Sequence, residues 1–230
     1  MDKRLQRLGL GLVLLGIVFF AAGGYTVYRT QQGASALQAF SAAQNVKLNY
    51  NDRGQLVDRG ETAGADKIMS LLVNDWGFAV DKSELNPNDP LVNTASEYMY
   101  QMATISYHTL NAATTVVLPT DVVVDGKVVA AAGSYDFQND GKYWTGFDRS
   151  DPIQAAAREK IWTGTAHALI AELGVGSVTA SALTMGFGIA ALFALIGLTV
   201  VLTGLGLVWA TRATTEKVKA PAFKQVANPA

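Results

Sequence analysis

Two long stretches of this 230-residue chain carry no charged side chain, residues 8–28 and residues 173–211. As a helix, the 21 residues of the first rise about 31 Å, which matches a bilayer hydrocarbon core of about 30 Å. The 39 residues of the second would reach about 58 Å, too far for one crossing. Its most apolar part, residues 183–209, is the predicted span. Residues 175–182, rich in Gly, Ser and Thr, read either as the outer end of that helix or as a short break above the membrane.

The flanks set an orientation. Lys3, Arg4 and Arg7 precede the first run, and Arg212, Lys217, Lys219 and Lys224 follow the second; with only Asp2 and Glu216 against them, the ends carry +5. The segment between holds 11 Lys+Arg and 17 Asp+Glu, a net −6. Because cations are retained on the cytoplasmic side, both termini are expected in the cytoplasm and the middle outside a plasma membrane. Tyr25, Tyr28 and Trp209 then fall at interfacial depths, where an amphipathic ring is favoured. A cleaved signal peptide is the rival reading, with Ala21-Ala22-Gly23 as its cleavage region. The apolar run is longer than the usual signal core of about 7–15 residues, which favours an uncleaved helix. The expected organisation is a cytoplasmic N-terminus (1–7), a first transmembrane helix (8–28), an extracytoplasmic domain (29–182), a second transmembrane helix (183–209) and a disordered cytoplasmic tail (210–230).

Small residues recur every seven positions in both runs: Gly9, Gly16 and Gly23 in the first, Ala190, Gly197, Gly204 and Thr211 in the second. That period keeps them on one helix face, and close helix packing in lipid needs small residues where backbones meet. The face suits a tight antiparallel pair or docking onto another membrane protein. No Asp, Glu, Lys, Arg or His lies in either run, which argues against an ion or proton path.

The middle segment is long enough for one domain with its own core. Gln31 to Ala43 is polar and Ala-rich and extends the first helix outward. Val46 to Val57 reads as a hairpin turning at Asp52-Arg53-Gly54, and Ala63 to Asn74 as a helix with Ile68, Leu71 and Leu72 on one face. Asp89-Pro90 pairs a good N-cap with Pro at the first helical position, predicting a helix to about Leu110. Asp125-Gly126 between β-branched runs predicts a hairpin. Asp151-Pro152 predicts a second helix through Ile161 and Ala168. At an offset of 62 the two Asp-Pro starts share Ala95 with Ala157 and Glu97 with Glu159, so an internal duplication is one reading. The fold class expected is α+β, a helical hairpin of two transmembrane helices carrying a mixed helix/strand domain.

The first apolar run, the segment Phe147-Asp148-Arg149-Ser150-Asp151-Pro152 and the Gly-rich Gly186-Phe187-Gly188-Ile189-Ala190-Ala191-Leu192 together resemble a family of short, two-span actinobacterial membrane proteins. Many members carry the label aromatic ring-opening dioxygenase. The resemblance covers the two ends; the middle, residues 91–150, is longer here. It implies two spans around an outer segment and supplies no catalytic residues.

A ring-opening dioxygenase takes an iron site, commonly two His and a carboxylate. His108 and His167 are the only histidines. By the repeat offset they share a face, where Glu97, Glu159 or Glu172 would join them, but no His-x-His or His-x-x-x-Asp spacing presents them. Asp136-Phe137-Gln138-Asn139-Asp140-Gly141 matches the first half of a calcium loop, with Phe147 where the bidentate Glu belongs. Gly186-x-Gly188-x-x-Ala191 fits a dinucleotide fingerprint by letters and lacks the preceding strand. Tyr98, Tyr100, Tyr107 and Trp162 read as core residues or an aromatic surface. Zero Cys excludes disulfides and thiolate chemistry, and a net charge of −1 argues against a nucleic-acid binder.

No catalytic, cofactor or metal residues are therefore nominated. The expected function is a non-catalytic accessory subunit of a larger membrane complex, for example an actinobacterial respiratory supercomplex. Its expected partners are the lipid bilayer and other membrane protein subunits, met through Gly9, Gly16, Gly23, Ala190, Gly197 and Gly204. The alternatives are a module that binds a cell-envelope ligand and a membrane-bound metal-dependent oxygenase.

Overall fold

The computed structural model describes residues 2–218. Its elements run in the order α1 (Asp2–Gln44), α2 (Thr62–Ser70), α3 (Ala95–Leu110), β1 (Ala113–Leu118), β2 (Val122–Val124), β3 (Lys127–Ala130), β4 (Gly133–Gln138), α4 (Pro152–Ile161) and α5 (Gly164–Val218). This is an α+β chain with two long apolar helices. It divides into two compact units. One holds the described residues up to Ala34 and from Leu183; the other is Ser35–Ala182.

The first unit consists of the apolar parts of α1 and α5, both long and apolar enough to cross a membrane. Neither helix contains Pro, so nothing interrupts its hydrogen-bond ladder. α1 accordingly stays helical through the polar stretch to Gln44, and residues 175–182 lie within α5 rather than in a break. α5 also remains helical to Val218, past residue 210, where a tail was expected to begin. Its Ala, Thr, Glu and Lys residues are all compatible with a helix. The remainder of that expected tail, 219–230, lies outside the described residues.

The second unit has two apolar clusters. Ile68 and Leu72 are fully buried at the centre of one, with Tyr98, Tyr100 and Ala103 of α3 and Leu173 of α5. Val116, Phe147, Ala157, Ile161 and Trp162 form the other. Ile68, Leu71 and Leu72 are all buried, but Leu71 packs into the second cluster while Ile68 and Leu72 centre the first; α2 stops at Ser70 and continues as one π-helical turn, Leu71–Asp75. α1 and α5 are tied to α3 at Tyr98. Its hydroxyl lies 2.7 Å from Ser41 Oγ, and a Cβ at Gly176 would lie 2.6 Å from its ring.

Three boundaries differ from expectation. Asp89-Pro90 opens no helix: the Pro90 carbonyl accepts from Leu48 N–H at 2.8 Å, and Leu91 bridges Lys47. α3 starts five residues later, where Thr94 and Glu97 form a capping box. Asp151-Pro152 does open α4, with Asp151 Oδ1 accepting from Ile153 N–H at 2.9 Å. The same dipeptide therefore has two different roles, and the proposed equivalence of Glu97 with Glu159 fails too: Glu97 is buried in its cap, while Glu159 is exposed beside Arg158. The shared letters therefore do not correspond to shared local structure at these positions. α4 ends at Ile161 rather than near Ala168, because Thr163 Oγ1 accepts from Ala166 N–H at 3.1 Å and starts a new helix.

The predicted Asp125-Gly126 turn joins β2 to β3, both turn residues having positive φ, as that turn requires. Two paired ladders follow one another along a single arm, β2 with β3 and β1 with β4. Pro119, which has no N–H, falls between β1 and β2 and interrupts pairing there. Asp121 Oδ1 holds the break by accepting from Ala132 N–H at 2.6 Å. The stretch Val46 to Val57 turns tightly around Asn51–Gln55 but forms only isolated bridges, not a strand pair.

Candidate functional site

Within the helical unit the six predicted small residues face one another across the α1–α5 seam. A Cβ placed at Gly9 would lie 2.7 Å from the Gly204 carbonyl oxygen, and one at Gly16 would lie 2.8 Å from that of Gly197. One at Gly23 would lie 3.2 Å from that of Ala190. In the reverse direction, Gly204 meets the Gly9 oxygen at 2.5 Å and Gly197 that of Gly16 at 3.0 Å. Each step of seven along α1 is met by a step of seven backwards along α5, so the two run antiparallel in this unit.

Within this unit the chain's own two helices meet along this face. Sequence reasoning stopped one step short. Thr30, a heptad after Gly23, is buried and would lie 2.6 Å, through its Oγ1, from a Cβ at Gly186. Thr30 lies just past Arg29, outside the charge-free run that carries the repeat in the sequence. Gly186 is therefore a helix-packing glycine rather than part of a nucleotide loop, and its surroundings are helical throughout.

The outward faces of this unit remain apolar. Leu14, Val18, Leu195 and Leu202 are each more than half exposed.

In the Ser35–Ala182 unit the two histidines are engaged in different places. His108 Nε2 lies 2.9 Å from Asp58 Oδ1. His167 packs edge-on against Trp144 and Trp162, with ring centroids 5.0 and 5.6 Å away. The shared face expected for them does not form, because α4 ends before His167 and the offset that aligned them has no structural counterpart. Among the described residues no group of three or more His, Asp or Glu side chains is placed to hold a metal ion. Glu97 is spent on its cap: Oε2 accepts from Asn93 N–H and Thr94 N–H at 3.0 Å and from Thr94 Oγ1 at 2.8 Å. Burial, outweighing these bonds, raises its carboxyl above the usual range.

The calcium-loop letters fall on a strand and its turn. Asp136 and Gln138 lie in β4, where Asp136 Oδ1 accepts from Thr115 Oγ1 at 2.9 Å. Asn139 is fully buried and donates to the Thr109 carbonyl at 2.8 Å. Tyr98, Tyr100 and Trp162 are core residues, while Tyr107 is half-buried.

Tyr107 lines two adjoining clefts that sequence reasoning missed. A cleft of about 730 Å³ has Trp76, Tyr107 and Tyr143 among its walls, and Trp76 Nε1–H donates to the Tyr143 hydroxyl at 2.8 Å. The second, about 520 Å³, includes Asp58, Arg59, Lys67 and His108. Lys67, Tyr107 and Asn111 line both. These residues come from four separate parts of the chain, so no local motif announced them. Protein-family profiles, curated proteins and solved structures all return no match to this chain.

Proposed function

We propose that the chain is a two-span membrane protein acting as a non-catalytic accessory subunit, with both termini in the cytoplasm and residues 29–182 outside. Length, hydropathy and the cationic flanks support the spans and their orientation. The seam supports a pre-paired helical hairpin whose remaining surface suits lipid or the apolar helices of a neighbour.

The observation that carries the subunit reading is the arm formed by β2 and β3. Val123 and Val128 are cross-strand partners, each more than half exposed, while Val124, on the opposite face of the pair, and Val129, at the register shift, are about half exposed. An isolated two-stranded hairpin is marginal in water, and apolar side chains paired across its exposed strands suit contact with another molecule. Each unit thus offers its own partner surface, the valine arm in one and the outer helical surface in the other, rather than the small-residue faces.

Purification of the tagged full chain from its native membrane in a mild detergent tests this. A companion membrane protein is expected in fixed ratio. It should be lost from the Val123→Thr/Val128→Thr variant, which keeps strand-forming side chains and removes apolar ones. Recovery of the unaltered chain alone, or unchanged recovery of the companion with the variant, refutes the proposal.

A further inference from the structure

We propose that the two clefts beside Tyr107 form one binding site for an anionic saccharide. Its ring would lie against the aromatic cleft, and its acidic group would point at the basic one. The site is lined by residues of Ser35–Ala182 alone, so it stands or falls independently of the subunit proposal.

Three features of the site point to this ligand. First, Trp76, Tyr107 and Tyr143 converge on one solvent-facing cleft above a floor that includes buried Leu71 and Leu110. The Trp76–Tyr143 hydrogen bond fixes two of these rings in place. Flat apolar faces rimmed by polar groups such as Asn111 and Lys67 suit a molecule with apolar ring faces and hydroxyl edges.

Second, the adjoining cleft carries two cations, Arg59 and Lys67, against one carboxylate, Asp58, whose Oδ1 lies 2.9 Å from His108 Nε2; the other carboxylate of the site, Asp75, lines the aromatic cleft. A carboxylate or phosphate would complete this group of donors, and Lys67, facing both clefts, would join acid to ring.

Third, Arg59 stands at the tip of a tight turn with Gly60, both at positive φ, beside the cleft that it lines. Four non-glycine residues among those described have positive φ. Three are Asn or Asp, which tolerate it, and the fourth is Arg59 at 51°. It sits in the turn closed by Asp58 and Glu61, whose backbone groups exchange hydrogen bonds at 3.0 Å. The two cleft volumes fall within the range of about 300–1,000 Å³ that small-molecule sites occupy.

The full chain in mild detergent is titrated with a galacturonic acid trisaccharide, glucose 6-phosphate, the neutral galactose trisaccharide and inorganic phosphate. Binding is read by calorimetry and by tryptophan fluorescence. Saturable binding of the uronate or of the sugar phosphate is expected, and whichever binds identifies the acidic group. The neutral trisaccharide and inorganic phosphate should each bind about tenfold weaker or less, since each lacks half of the recognition. Arg59→Gln/Lys67→Gln should weaken the acidic probe about tenfold with the melting temperature unchanged, both side chains being exposed. Trp76→Phe should remove most of the fluorescence response. The proposal is overturned if neither acidic probe binds. Equal binding of the neutral sugar, binding of inorganic phosphate as tight as that of the sugar phosphate, or unchanged affinity in the double variant would each overturn it too.

Discussion

Alanine at Gly204 and alanine at Gly206 should have opposite effects, although the two glycines sit two residues apart in one helix. A Cβ at Gly206 has nothing within 4 Å, whereas one at Gly204 would lie 2.5 Å from the Gly9 carbonyl oxygen and 2.9 Å from Val13 N. In both variants the helix gains about 1 kcal/mol of intrinsic propensity. At Gly204 the methyl group meets backbone, which cannot turn aside as a flexible side chain would. α1 must therefore retreat on the order of 1 Å, and contacts along the seam lose a quarter to a half of their attraction. Overpacking of this kind costs roughly 1–3 kcal/mol, and more than one backbone atom is affected. Gly204→Ala is expected to destabilise by about 1–2 kcal/mol net, and Gly206→Ala to stabilise by up to about 1 kcal/mol.

The assay is unfolding of the purified chain in mixed micelles of rising SDS fraction, followed by circular dichroism. Gly9→Ala should behave like Gly204→Ala. The double variant Gly9→Ala/Gly204→Ala should cost less than the two singles together, because the first substitution has already parted the helices there. Equal stability of Gly204→Ala and Gly206→Ala would refute the close backbone approach on which the seam rests.

In the outer unit, Thr94→Ala should cost about 1–2 kcal/mol in the same assay, since it removes an N-cap and one of the donors to buried Glu97. Thr94→Ser should be close to neutral. Burial makes folded Glu97 hold its proton more tightly than the unfolded chain does. Its contribution to stability is therefore full below the unfolded carboxyl value, about 4.3, and is lost as the pH rises through the folded value. Relative to Glu97→Gln, the unaltered protein should lose stability across that window; parallel stability profiles would rule the effect out. Tyr98→Phe should cost about 1 kcal/mol by removing the buried contact with Ser41 Oγ, measured by the same unfolding series. No change there would mean that water replaces it.

The elements most legible in the sequence were those that local chemistry decides. Charge-free length and the absence of Pro determined the two long helices, a period of seven determined which of their faces is small, and Asp125-Gly126 determined the hairpin. Asp151-Pro152 started a helix for the same reason: cap and first turn are adjacent in the chain. Asp89-Pro90 did not, because Leu48 and Lys47, more than 40 positions earlier, claim the backbone around it. Only tertiary structure decided that the small-residue face is filled by the chain's own second helix, since periodicity describes a face without naming what covers it. Only tertiary structure brought Arg59, Lys67, Trp76, Tyr107 and Tyr143 around two clefts. Side chains that meet across a fold share no spacing along the chain, and the burial that gathers them acts without regard to sequence separation.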